Sequence, residues 1–179
     1  MDDTTANLVL VGPMGAGKSS IGKRLAQALS LDFVDADREL ETRTGASVSD
    51  IFACEGEAGF RQRESALLAE LLQRRDQLIA TGGGVVVAVE NRALLRSSAC
   101  VVHLDVSVAG QLARLSRDRS RPLLQRDDRE AVLTRMAADR APLYAEVADL
   151  RFDTEGCTPE QACSVLLPRI RQVWRRVAA

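Results

Sequence analysis

Eight residues near the start of the chain, Gly12-Pro13-Met14-Gly15-Ala16-Gly17-Lys18-Ser19, satisfy the pattern G-x-x-x-x-G-K-[ST]. Glycines at these positions let the backbone curl until its N–H groups converge on phosphate oxygens, and a following helix adds its positive N-terminus. Lys18 suits the terminal phosphates of ATP, and the Ser19 hydroxyl suits the accompanying Mg2+. Gly15, Ala16, Gly17, Lys18, Ser19 and Ser20 are the expected phosphate-side contacts. A tight glycine turn is the plain alternative. It is disfavoured by the strand-like run Asn7–Val11 before the motif and by Ile21, Leu25, Ala28 and Leu29 at helical spacing after it.

Other residues qualify less sharply. Asp35 and Asp37 follow a short β-rich run, and in an extended segment both would leave one face, one serving a metal and the other a substrate hydroxyl. They could equally cap and open a helix. Gly82-Gly83-Gly84 weakens any strand it ends, which implies a ligand's close approach or a sharp bend. Arg61 has Glu64 one helical turn away, within reach of its guanidinium, and a surface salt bridge is the ordinary reading. Arg117-Asp118-Arg119-Ser120-Arg121-Pro122 is a basic loop able to close over a transferring phosphate. Arg140 is unremarkable alone. His103, the only histidine, lies in a β-rich run and reads as structural, so an aspartate must serve if a base is needed. Trp174 reads as a packing residue.

These residues need a scaffold. Strand-like runs at 7–11, 32–35, 78–81, 99–104 and 149–153 alternate with helical patterns, including 60–72, 129–145 and a last helix opened by Pro159. Such alternation predicts an α/β fold with a parallel sheet covered on both faces, and ligands bound beyond the carboxyl ends of its strands. The length of 179 residues fits one domain, 1–179. A net charge of −1 gives no support to nucleic-acid or membrane-surface binding. No apolar run is long enough to span a bilayer, and the expected location is cytoplasmic. Cys54, Cys100, Cys157 and Cys163 lack metal-site spacing and are expected to be free thiols.

From about Asn7 to Val173 the chain resembles the shikimate kinase family. The matching pieces are GPMGAGKSS (12–20), DFVDAD (32–37), SDIF (49–52), GEAGFRQRE (56–64), TGGGVV (81–86) and RSRPLL (119–124). The resemblance implies a three-layer αβα P-loop kinase with a five-stranded parallel sheet, a substrate-binding subregion at about 37–64 and a lid at about 116–128. It implies a monomer that transfers the ATP γ-phosphate to the 3-hydroxyl of shikimate. Asp37 would bind the substrate hydroxyls and accept the 3-hydroxyl proton, and Arg61 and Arg140 would hold the carboxylate. Gly82 and Gly83 would contribute backbone contacts, with Phe52 and Phe60 on the apolar side of the ring. Lys18 and Arg121 would act on the phosphates, Arg114 would lie against the adenine, and Ser19 and Asp35 would form the magnesium pair. Ser20 stands where many relatives carry threonine, and the loop 153–159 lacks an arginine that some relatives place there.

Two alternatives remain at the level of sequence. One is a related kinase acting on sugar acids such as gluconate, or on nucleoside monophosphates. The other is a catalytically silent P-loop module. Arginine's planar fork suits a carboxylate, so Arg61 and Arg140 paired with Asp37 favour an anionic polyol over a nucleobase.

Overall fold

The structure is a computed structural model and describes residues 7–116 and 128–177. Five parallel strands, β1 (Asn7–Val11), β2 (Asp32–Asp35), β3 (Gln77–Ala80), β4 (Ala99–Asp105) and β5 (Leu150–Asp153), form one sheet in the order β2-β3-β1-β4-β5. β1 is central and buried along its whole length. Its sequence NLVLV is accordingly a continuous apolar run rather than an alternating one, as burial on both faces requires.

Alternate residues feed opposite layers. Leu8 and Leu10, with Leu78, Val102 and Leu104, pack on α1 (Lys18–Leu29) and α7 (Pro159–Val177) through Ile21, Leu25, Leu166 and Ile170. Val9, Val11, Ile79 and Val101 pack on α3 (Val48–Leu72), α4 (Val89–Ser98) and α6 (Arg129–Val147) through Leu67, Leu68, Leu71, Leu95 and Val147. Each fully buried leucine contributes about 2 kcal/mol of transfer free energy, so the two faces together clamp the sheet. Trp174 packs at the edge of the first layer, as expected. The four cysteines are free. No helix among the described residues is long and apolar enough to cross a membrane.

Boundaries differ from the sequence reading in ways that bear on the site. β3 ends at Ala80, and the N–H of Thr81 makes a last ladder bond to the Leu10 carbonyl (3.1 Å) that its hydroxyl duplicates (2.9 Å) just before the triple glycine. The helix expected at 60–72 begins at Val48, where Ser47 and Asp50 form a reciprocal capping box. Gly56, at φ 69°, breaks α3 internally and lets it turn over the sheet edge. Ile51 and Phe52 thereby face inward ahead of Phe60. Between α1 and α3, α2 (Ala36–Thr44) follows β2 directly, and α5 (Val108–Leu115) follows β4.

Candidate active site at the carboxyl edge of the sheet

The loop between β1 and α1 depends on its glycines. Gly12, Gly15 and Gly17 have φ of 144°, 78° and 89°. A Cβ on Gly12 would also collide with the Leu104 carbonyl oxygen, so β4 itself excludes a side chain there. Lys18 folds back across this loop, its ammonium donating to the carbonyls of Gly12 (2.7 Å) and Pro13 (2.8 Å). The Ser19 hydroxyl donates to Asp35 Oδ2 at 2.6 Å, while Asp35 Oδ1 accepts the Arg38 N–H at 3.3 Å and caps α2. Asp35 therefore caps α2 with one oxygen and meets Ser19 with the other. The two adjacent oxygen donors fit a hard cation such as magnesium, which keeps several waters and needs few protein ligands. Among the described residues no cluster of three or more metal-ligating side chains competes with this pair.

A cleft of about 640 Å³ runs from Gly15, Gly17, Lys18, Ser19 and Ser20 to Asp37, Gly82 and Gly83. At its outer end the Arg114 guanidinium donates to the carbonyl of Gly15 (2.8 Å) and to the hydroxyl and carbonyl of Thr154 (2.9 and 2.6 Å). This ties the phosphate loop to the β5–α7 connection, so Thr154 anchors a loop that lacks an arginine of its own. Ala16 is buried beneath the turn. Arg121 and the basic loop lie outside the described residues.

A second, smaller cavity of about 120 Å³ opens beside the cleft and shares Asp37, Gly82 and Gly83 with it. Its other lining residues include Phe52, Phe60, Arg61, Glu64, Met136 and Arg140. Asp37 is not in an extended segment beside Asp35, because α2 begins at Ala36 and places Asp37 in its first turn. Its carboxylate nonetheless reaches Gly82, where a Cβ would lie 3.0 Å from Asp37 Oδ1 and 2.8 Å from Glu64 Oε1. At Gly84 a Cβ would overlap the Arg61 guanidinium. Gly82 and Gly84 thus leave the space that Asp37, Glu64 and Arg61 occupy, whereas a Cβ at Gly83 would meet only ordinary contacts.

The surface-salt-bridge reading of Arg61 is overturned. Arg61 Nη1 donates to Glu64 Oε2 at 2.7 Å, and the two side chains are only 18% and 6% exposed. Burial pushes the Glu64 carboxyl above its ordinary range, Arg61 pulls it back only in part, and Asp37 pushes it further up. The Arg61 guanidinium also lies over the Phe60 ring (5.3 Å), which stacks on Phe52 with centroids 4.5 Å apart. Arg140, from α6, brings Nη1 to 3.8 Å from the Cβ position of Gly83. Two arginines and two carboxylates therefore converge on one small cavity with an aromatic wall.

Sequence reasoning passed over Met136 and Tyr144, gave Met14 and Gly84 no role beyond their motifs, and gave Glu64 no weight of its own. Tyr144 carried a usable signal, since it follows Arg140 by four residues and shares its helix face. The others became visible only when α3 and α6 were placed.

His103 is buried, as expected of a structural histidine, and stacks on Tyr144 at 4.7 Å. Its Nε2 has no hydrogen-bond partner, and burial pushes its pKa down. Below the ordinary pKa of about 6.5 the unfolded chain takes up a proton that the folded chain refuses. Stability contributed by the neutral imidazole is therefore present above about pH 6.5 and lost as pH falls towards the lowered folded value. The replacement His103→Phe keeps the stack and cannot titrate. Urea unfolding at pH 5 and pH 7 should show a smaller acid-side loss in this variant than in the wild type, and an equal loss would refute the assignment.

Fold and geometry together define a P-loop kinase of the three-layer α/β type, with an anion- and polyol-compatible pocket beside its phosphate loop. The shikimate kinase family model matches residues 14–171. The shikimate kinase of Xanthomonas oryzae pv. oryzae is 53% identical over 173 residues, covering 97% of this chain and 96% of the relative. That of Stenotrophomonas maltophilia is 52% identical over 170 residues, covering 95% and 94%. The solved shikimate kinase from Acinetobacter baumannii in complex with shikimate superposes with a TM-score of 0.89 at 42% identity, covering 95% of this chain and 96% of that one. The chain belongs to the shikimate kinase family.

Proposed function

We propose that this protein transfers the γ-phosphate of ATP to the 3-hydroxyl of shikimate, giving shikimate 3-phosphate and ADP. The observation that carries the reading is the junction of the two cavities at Asp37, Gly82 and Gly83, with the phosphate loop on one side and two arginines on the other. Donor and acceptor would meet at that junction. The likeness to a solved enzyme holding shikimate supports the same acceptor.

In this reading Arg61 and Arg140 grip the shikimate carboxylate, and the stacked Phe52–Phe60 pair lies against the ring. Asp37 accepts hydrogen bonds from the ring hydroxyls and takes the proton of the 3-hydroxyl as it attacks. The N–H groups of Gly15, Ala16, Gly17, Lys18, Ser19 and Ser20 surround the donor phosphates, and Lys18 exchanges its two carbonyl contacts for phosphate oxygens. Ser19 and Asp35 would hold magnesium, which would supply neutralisation of the phosphate charge. Arg114 would border the adenine position, and Arg121, with the lid expected at about 116–128, would act on the transferring phosphate. The substrate-binding subregion spans about 37–64 within a single domain.

An acceptor panel tests the proposal. Shikimate, gluconate and nucleoside monophosphates are supplied in turn with MgATP, and ADP is followed by a coupled assay. Shikimate alone is expected to drive rapid ADP release. If it yields no more ADP than the control without acceptor, the shikimate reading fails. A half-buried Arg61 beside a second arginine is poorly suited to a neutral nucleobase, which argues against the nucleotide-kinase alternative.

A further inference from the structure

We infer that Tyr144 is a positioning residue for the acceptor, holding the triple-glycine turn so that its N–H groups face the shikimate hydroxyls. Each carbonyl of the turn has an acceptor role already filled. Gly82 O accepts the Val85 N–H (3.3 Å) and Gly84 O accepts the Val87 N–H (3.0 Å). Both bonds span three residues and are supplied locally by the short turn Val85–Val87. The middle carbonyl, Gly83 O, has no such local donor. It is held at 2.5 Å by the hydroxyl of Tyr144, sixty-one residues further along the chain.

The planarity of the trans peptide turns this into a statement about donors. When a carbonyl points one way, the N–H of the next residue points the opposite way. Pulling Gly82 O to Val85 and Gly83 O to Tyr144 therefore aims the N–H groups of Gly83 and Gly84 away from those partners. None of the N–H groups of Gly82, Gly83 and Gly84 has a backbone acceptor among the described residues. All three glycines line the small cavity. A Gly83–Gly84 peptide with no tether could rotate, presenting a carbonyl oxygen where a donor is needed, because neither residue has a side chain to resist the change.

Tyr144 is built for such a task. It is 3% exposed, its ring is stacked on the buried His103, and burial pushes its phenol up to about 12, so the hydroxyl keeps its proton and remains a donor at all working pH values. The guanidinium of Arg140 lies beside the same phenol, so one face of α6 would supply both the carboxylate grip and the hydroxyl alignment. Tyr144 itself lies behind the glycines rather than on the lining of the small cavity.

Resting on the shikimate reading, the test is Tyr144→Phe, which keeps the ring and removes only the donor. A neutral hydrogen bond of ordinary strength predicts a KM for shikimate raised about tenfold, with the KM for MgATP unchanged. Shikimate analogues lacking one ring hydroxyl at a time sharpen the result. For the analogue missing the hydroxyl served by the glycine N–H groups, variant and wild type should bind alike. An unchanged shikimate KM, both KM values moving together, or an equal penalty for every analogue each overturns the inference. Because Tyr144 is the only tyrosine in the chain, fluorotyrosine labelling of the otherwise wild-type protein gives a second readout free of any folding defect. Its 19F resonance should shift on adding shikimate, and no shift overturns the inference. A wild type that ignores shikimate would sink the functional reading and this inference together, whereas an active wild type with an indifferent Tyr144→Phe sinks the inference alone.

Discussion

Replacing Asp37 with asparagine should lower kcat about a thousandfold, in the middle of the range expected for removing a positioned general base. Asparagine keeps the shape of the side chain and can still hydrogen-bond ring hydroxyls, but it cannot take a proton at neutral pH. The loss should therefore fall on turnover, with the dissociation constant for shikimate changed by no more than a few-fold. Two features make Asp37 the residue of choice. The single histidine is buried and stacked on Tyr144, and the neighbouring Asp35 is engaged by Ser19 and the α2 N-terminus. Asp37 alone among these reaches the glycine turn shared by both cavities. Single-turnover kinetics with saturating shikimate and MgATP would measure the step directly. A variant retaining most of the wild-type rate would show that no base is needed, leaving positioning and charge neutralisation to carry the transfer.

Arg61→Ala should have the second-largest effect, and it should appear in both binding and stability. Losing one charged, two-pronged partner of a carboxylate is expected to raise the KM for shikimate about a hundredfold. The same substitution strands Glu64, which is 6% exposed and whose carboxylate accepts a hydrogen bond from Arg61. Breaking one side of a buried pair costs about 3–5 kcal/mol when the remaining charge has no other partner. Arg140 lies near enough to oppose that penalty in part, and protonation of Glu64 would relieve the rest. Chemical denaturation should therefore find the variant least handicapped at acid pH, where Glu64 is neutral. The sign follows from linkage, since a carboxyl raised in the folded state contributes stability below its ordinary pKa of about 4.3 and loses it as pH climbs through the raised value. Glu64→Gln separates the two effects, because it leaves Arg61 charged and present while removing the stranded carboxylate. If Arg61→Ala binds shikimate normally, the carboxylate grip belongs elsewhere.

The phosphate loop was legible in the sequence because its chemistry is local. Gly12 to Ser19 carry their own conformational demands, and the strand before and helix after them are periodic in their own right. The same holds for the parallel sheet, whose five strands appear as short apolar runs separated by helical patterns. The shikimate side was legible only as scattered motifs. Asp37, Arg61, Gly82 to Gly84 and Arg140 come from α2, α3, the loop after β3 and α6, and no spacing rule relates them.

What the sequence determined by itself is therefore a P-loop α/β kinase and, through the combination of its motifs, the family to which it belongs. Tertiary structure alone decided that Arg61 and Glu64 form a pair set into the site rather than a surface one, and that Gly82 and Gly84 leave room for Asp37, Glu64 and Arg61. It also decided that the middle glycine is held from behind by Tyr144. The physical reason is common to all three. Burial and close approach depend on which elements pack together, and a hydrogen bond spanning sixty-one residues leaves no periodic trace in either segment that makes it.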